Sequence, residues 1–190
     1  MPRIHILGAS GSGTSTLGAA VAAALECPLH ETDDFLWVPS DPPYQKIRPM
    51  PDRLHRLHAA LVRSRSWVVS GALTGWGNPL VPLLDLVVFV TLEAGQRMAR
   101  LRAREAARFG ARILPGGDMA ESYRTFMEWA EAYDTAGPDQ RSRALHEQWL
   151  RTLPCPVLRL ESTQPVAMLA EAVLLQLRGC AASQASSSGR

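Results

Sequence analysis

Nine residues, Gly8, Ala9, Ser10, Gly11, Ser12, Gly13, Thr14, Ser15 and Thr16, constrain this chain more than any other stretch. They follow an apolar run carrying Ile4, Ile6 and Leu7 and precede an alanine-rich stretch of high helix propensity. A strand, a glycine-rich turn and a helix start, in that order, describe a loop whose backbone N–H groups converge on an anion. The unpaired amides and the helix dipole both favour negative charge there, and glycines let the backbone curl without Cβ clashes. Against the phosphate-loop pattern GxxxxGK[S/T], Gly8 and Gly13 fit the glycines and Ser15 fits the hydroxyl that meets magnesium. Thr14 stands where the pattern has lysine. A charge-assisted hydrogen bond contributes about 1.5–3 kcal/mol, so an uncompensated loss would slow a reaction by about ten- to a few hundred-fold. That weakens a catalyst without abolishing it.

The chain of 190 residues has the size of one domain with a substantial core. Its apolar runs, such as residues 83–92, are too short and interrupted to span a bilayer. The start of the chain enters the first strand with no signal-type apolar stretch, which leads us to expect a cytoplasmic protein. Cys27, Cys155 and Cys180 are odd in number and widely spaced, as reduced thiols would be. The net charge of +2 argues against a nucleic-acid partner. Of the 20 basic residues only Lys46 is a lysine, so any cation replacing the missing one is Lys46 or an arginine.

In chain order, the pattern predicts strands at 3–7, 29–31, 67–70, 86–92 and 157–160. Helices are expected at 14–25, 51–64, 93–109, 118–136, 138–153 and 164–177. Five short strands alternating with helices make a parallel α/β sheet. Asp33 and Asp34 fall just past the second strand, where open α/β sheets place ligands. Which of the two faces the site is open, because adjacent residues can point opposite ways. Residues 38–51 carry five prolines and read as a loop. His55 and His58 read as a helix face, there being no third metal ligand nearby. Residues 71–77 form a second glycine-rich loop. Arg97, Arg100, Arg104 and Arg108 fall along one helical stripe that Arg112 would continue, readable as a solvated face or as a phosphate clamp. Trp37, Tyr44 and Trp76 lie in or near a region that could receive a small molecule, and pinning loops to the core is their simpler role. The tail at 179–190 reads as disordered.

This order of features resembles the adenylate-kinase-like group of small P-loop kinases, which includes nucleoside monophosphate kinases and shikimate- or gluconate-type kinases. The resemblance spans residues 3–178 and rests on the loop at 8–16, Asp33 and Asp34, the loop at 71–77 and the arginine-rich helix entering 104–118. It implies a P-loop NTPase three-layer sandwich around a five-stranded parallel sheet. It further implies ATP and magnesium as cosubstrates, an acceptor region at 33–77 and a lid at 104–118. Gly8, Ser10, Gly11, Ser12, Gly13, Thr14, Ser15 and Thr16 would bind the nucleotide, Ser15 and Asp33 the metal. Asp33 or Asp34 would accept the acceptor's proton, and Arg104, Arg108 or Arg112 would close over the γ-phosphate in place of the absent lysine. Thr14 is a departure shared by certain cytidylate kinases and phosphoribulokinases, and Ser70 is another, standing where many relatives have an acid. The expected partners are ATP and a small acceptor such as a nucleoside monophosphate, with the chain a monomer or homodimer and no membrane involved. The competing reading is a nucleotide-binding regulatory protein, an ATP or GTP sensor with little transfer, which Thr14 keeps open.

Overall fold

In the computed structural model, which describes residues 1–187 and side-chain surroundings as far as residue 180, five parallel strands form one sheet. In chain order the elements begin with β1 (Arg3–Gly8), α1 (Thr14–Ala24), β2 (Leu29–Glu31), α2 (Thr32–Leu36), α3 (Met50–Leu61) and β3 (Trp67–Ser70). They continue with β4 (Leu86–Thr91), α4 (Ala94–Phe109), α5 (Ala120–Glu131), α6 (Arg143–Leu150), β5 (Val157–Glu161) and α7 (Val166–Ser187). The strand order is β2-β3-β1-β4-β5. All neighbours pair in parallel, so every strand ends on the same edge of the sheet.

Side-chain alternation along the strands feeds two cores. Ile4, Ile6, Val68, Val88 and Val90 face α1 and α7, where Leu17, Val21, Leu169 and Val173 complete a buried layer. Leu7, Val69, Val87 and Phe89 face the other way and pack with Leu57 and Leu61 of α3 and with Trp149 and Leu150 of α6. The sheet between two helical layers is the three-layer sandwich expected. A third cluster of Met98, Leu101, Met127 and Ala130 joins α4 to α5.

Boundaries shift where a capping residue was overlooked. Glu93 caps α4 from outside, its carboxylate accepting from Gly95 N at 2.8 Å and Gln96 N at 2.9 Å, so the helix starts at Ala94. Ser142 caps α6 by accepting from Leu145 N at 3.1 Å, so the segment expected to be helical from 138 is loop as far as Ser142. The helix expected over 118–136 runs as α5 and then tightens into a 3-10 turn at Ala132–Asp134. A further 3-10 segment, Asn78–Leu83, carries Pro79 and Pro82. The closing helix extends to Ser187, taking in most of the tail expected to be disordered; residues 188–190 of that tail lie outside the described residues. Among the described residues no helix is long and apolar enough to cross a membrane, and Cys27, Cys155 and Cys180 are free thiols.

Candidate active site

The loop between β1 and α1 lies at the carboxyl edge of the sheet, between the ends of β3 and β4. Its glycines are required sterically. A Cβ on Gly8 would sit 2.3 Å from Val90 O and 2.5 Å from Ser12 Oγ, and one on Gly11, whose φ is +81°, would sit 2.7 Å from Arg97 O. Gly13 adopts φ +96° directly before α1, turning the chain so that the first amides of the helix point outward. Ser12 is fully buried and its hydroxyl has no hydrogen-bond partner. A narrow cradle of this kind, with free helix amides and an unpartnered hydroxyl, fits the phosphates of a nucleotide.

Helix α4 props the loop from behind. Arg97 is only 1% exposed; its guanidinium donates to Ser10 O at 3.4 Å, Ala130 O at 3.3 Å and Asp134 Oδ2 at 2.7 Å. Arg100 donates to Ser162 Oγ and Ser162 O, both at 3.1 Å, beside Gly13. Arg97 thus bonds the loop directly, and Arg100 holds Ser162 beside its last glycine.

The acidic side of the site comes from the end of β2 and the start of α2. Ser15 Oγ donates to Glu31 Oε2 at 3.0 Å. Glu31 is in register with Ser70 of β3, so it stands beside the position where an acid is absent. Burial raises the Glu31 pKa, and the bond from Ser15 partly opposes this. Sequence reading assigned the metal-side carboxylate to Asp33; the carboxylate that meets Ser15 is Glu31. Asp33 lies in the first turn of α2 instead. It is reached by solvent yet walled by protein, and that desolvation raises its pKa against the pull of Arg141, Arg104 and Arg108. Asp34 turns the other way and lines an open groove of about 490 Å³ with Phe35, His55 and Arg56.

Gly71 shapes the floor next to these acids. With φ +110°, a Cβ there would lie 1.9 Å from Thr32 Oγ1, so only glycine lets the loop after β3 close on the start of α2. Its carbonyl accepts from His5 Nε2 at 2.9 Å. Trp76 is 8% exposed and donates to Ala72 O at 2.8 Å, which makes it a core residue. Trp37 meets Tyr44 edge-on at 5.6 Å, inside the proline-rich loop.

The remaining arginines divide. Arg104 pairs with its buried neighbour Glu105 at 2.6 Å while its charge reaches Asp33. Arg108 lies 5.3 Å from the Tyr44 ring and 5.0 Å from the Phe109 ring, and also acts on Asp33. Arg112, expected to close over phosphate, is taken up by Asp118 at 2.6 Å and Asp41 at 2.7 Å, joining 104–118 to the proline-rich loop. Thr14 and Thr16 sit at the opening of α1, where their backbone amides belong to the cradle. Among the described residues no three His, Cys, Asp or Glu side chains gather to hold a metal, and His55 and His58 form part of a helix face.

Two residues of the site escaped the sequence reading. Glu31 was counted as strand. Arg141 was counted as helix interior, yet its Nη2 donates to Gly8 O at 2.9 Å, 133 residues away. The serine at 142, a strong helix cap, was the one local sign that the chain breaks there.

No family model matches the chain. It is 47% identical over 158 residues, 83% of this chain and 87% of the relative, to the uncharacterized protein YqaC of Bacillus subtilis strain 168. Among solved structures it resembles a sugar kinase from Janibacter sp. HTCC2649, with a TM-score of 0.51 and 17% identity over 94% of this chain and 95% of that one. A gluconokinase from Sinorhizobium meliloti 1021 matches with a TM-score of 0.50 and 22% identity, covering 96% and 97%. A shikimate kinase from Acinetobacter baumannii, solved with shikimate, matches with a TM-score of 0.55 and 13% identity, covering 94% of each chain. At these identities the likeness is one of fold.

Proposed function

We propose that this chain, which belongs to the same family as YqaC of Bacillus subtilis, transfers the γ-phosphoryl group of ATP to a hydroxyl of a small metabolite. The observation that carries the reading is the convergence, at one sheet edge, of a glycine cradle, a Ser15–Glu31 pair and an Asp33 carboxylate within reach of the charges of Arg141, Arg104 and Arg108. The folds it shares with sugar, gluconate and shikimate kinases support the same reading.

In this reading the loop is a Walker A variant with threonine for lysine. The amides at the start of α1 hold the β-phosphate, and Ser12 contributes its unpartnered hydroxyl. Ser15 and Glu31 hold magnesium, which when bound with the nucleotide neutralises charge on the phosphates. Asp33 accepts the acceptor's hydroxyl proton, and its raised pKa suits a base. The acceptor oxygen then bonds to the γ-phosphorus as the bond to the β–γ bridging oxygen breaks. ADP departs with that electron pair, and the proton passes from Asp33 to water. Positioning and charge cancellation supply most of the acceleration. Segment 104–118 closes as the lid, with Arg104 and Arg108 on the phosphoryl side.

The test is incubation with magnesium and ATP across a panel of gluconate, shikimate, sugars, nucleosides and nucleoside monophosphates, following ADP. Acceptor-dependent ADP with one class of compound is the expected result. If ATP raises the melting temperature and no acceptor stimulates turnover, the protein is instead a nucleotide sensor, a reading that the missing lysine favours.

A further inference from the structure

A phosphate loop without its lysine leaves the charge of a triphosphate to be met from elsewhere, and nearly every nearby arginine is already engaged. Arg97 is spent on Asp134 and on carbonyls behind the loop. Arg100 is held by Ser162. Arg104 is paired with Glu105, and Arg112 with Asp118 and Asp41. Arg108 is exposed and stacked between Tyr44 and Phe109.

Arg141 differs in that its one hydrogen-bond partner among the described residues is the phosphate loop itself. It reaches the site from the loop before α6 and donates Nη2 to the carbonyl of Gly8, the residue that opens the phosphate loop. Its Nε is sealed from solvent and has no hydrogen-bond partner. Its guanidinium packs 5.4 Å from the Trp129 ring, which fixes its plane. Among the described residues it makes no ion pair, and Asp33, the proposed proton acceptor, is the carboxylate whose charge reaches it. A guanidinium has five N–H donors in a rigid fork. Arg141 is partly buried with no carboxylate of the described residues in contact, so donors of that fork are left for an anion to take up.

We infer that the Arg141 guanidinium binds the terminal phosphate of the nucleoside triphosphate and stands in for the lysine that the loop lacks at Thr14. This rests on the phosphoryl-transfer reading of the site. The arginine is held beside the loop by Gly8 and lies within reach of the Asp33 charge, so one guanidinium is close to both the loop and the proposed proton acceptor. An arginine can grip two oxygens of that group together, where lysine offers a point charge.

The experiment is calorimetric titration of the intact protein with ATP and with ADP, magnesium present, in wild type, Arg141→Gln, Arg141→Lys and the double variant Thr14→Lys/Arg141→Gln. Glutamine keeps a neutral donor for Gly8 O and removes the charge, and thermal melting verifies that each variant folds. Wild type is expected to prefer ATP to ADP, and Arg141→Gln to lose about 10- to 100-fold in ATP affinity with ADP affinity little changed. Lysine at 141 restores part of the preference, and lysine at 14 in the double variant restores it from within the loop. Equal loss for ATP and ADP in Arg141→Gln means that the residue only braces Gly8, and overturns the inference while leaving phosphoryl transfer intact. Unchanged ATP affinity overturns it likewise. If wild type binds neither nucleotide, the reading of the site falls and the inference falls with it. If Arg141→Gln does not fold, the lysine variant decides: a selective loss of ATP affinity supports the contact and an equal loss for both nucleotides overturns it.

Discussion

Ser15 Oγ donates to Glu31 Oε2 at 3.0 Å, tying the first turn of α1 to the last residue of β2. Glu31 is in register with Ser70, so an acid on the neighbouring strand stands beside the position where β3 has none. Glu31→Gln keeps a side chain able to accept from Ser15 while removing the charge. The expected outcome is a rise of about 10- to 100-fold in the magnesium concentration giving half-maximal turnover, measured by titrating magnesium at fixed ATP. An unchanged magnesium requirement would count against the pair as the metal side of the site.

Asp33 and Asp34 are adjacent yet differ in surroundings, the charges of Arg141, Arg104 and Arg108 reaching Asp33 while Asp34 lines the groove beside α3. Asp33→Asn is therefore expected to lower kcat by about 10²- to 10⁴-fold, with Asp34→Asn close to wild type. Acceptor-dependent ADP release from the two variants, assayed side by side, decides between them.

Arg97 is the buried post of the loop's support, and Asp134 is its carboxylate partner at 25% exposure. Arg97→Met leaves Ser10 O and Ala130 O without their donor and Asp134 without this partner. A loss of about 1–3 kcal/mol in unfolding free energy is expected, read from urea denaturation, because Asp134 keeps Arg143 at 2.9 Å. Asp134→Asn should cost more, about 3–5 kcal/mol, since it leaves the Arg97 guanidinium, 1% exposed, without a carboxylate.

Two fully buried histidines make stability fall in mild acid. Burial lowers the His5 pKa to about 4 and the His146 pKa to about 3, with Arg141 and His5 adding to the effect on His146. Both values are below the ordinary 6.5, so the unfolded chain takes up these protons first. Their contribution is complete above about pH 6.5 and is lost as pH falls through the interval towards 4 and 3. Each histidine adds a slope approaching about 1.4 kcal/mol per pH unit. Urea midpoints between pH 7.5 and 5 should drop steeply in wild type and less steeply in His146→Gln; parallel profiles would refute this account.

Local chemistry was enough for the architecture. Glycines at 8, 11 and 13, apolar runs with strand alternation and alanine-rich or capped helical stretches are properties of neighbours in sequence. They led directly to β1, the phosphate loop, α1 and a parallel α/β sheet. The arginine stripe was also legible as spacing, though its division into Arg97, which bonds the loop, Arg100, which bonds Ser162, and Arg104 and Arg108, whose charges reach Asp33, was not. That division depends on what packs against each face of α4.

By itself, then, the sequence determined a glycine cradle at the end of the first strand and the carboxylates and arginines available to serve it. Only the tertiary structure decided which of them stand beside it. Glu31 meets Ser15, and Ser70 stands beside Glu31, because β2 lies next to β3 in the sheet. Arg141 reaches Gly8 from 133 positions away because α6 packs under the carboxyl edge through Trp149 and Leu150. Strand order and helix packing are set by the pooled burial of apolar surface across the whole chain. For that reason no stretch of residues read alone could reveal them.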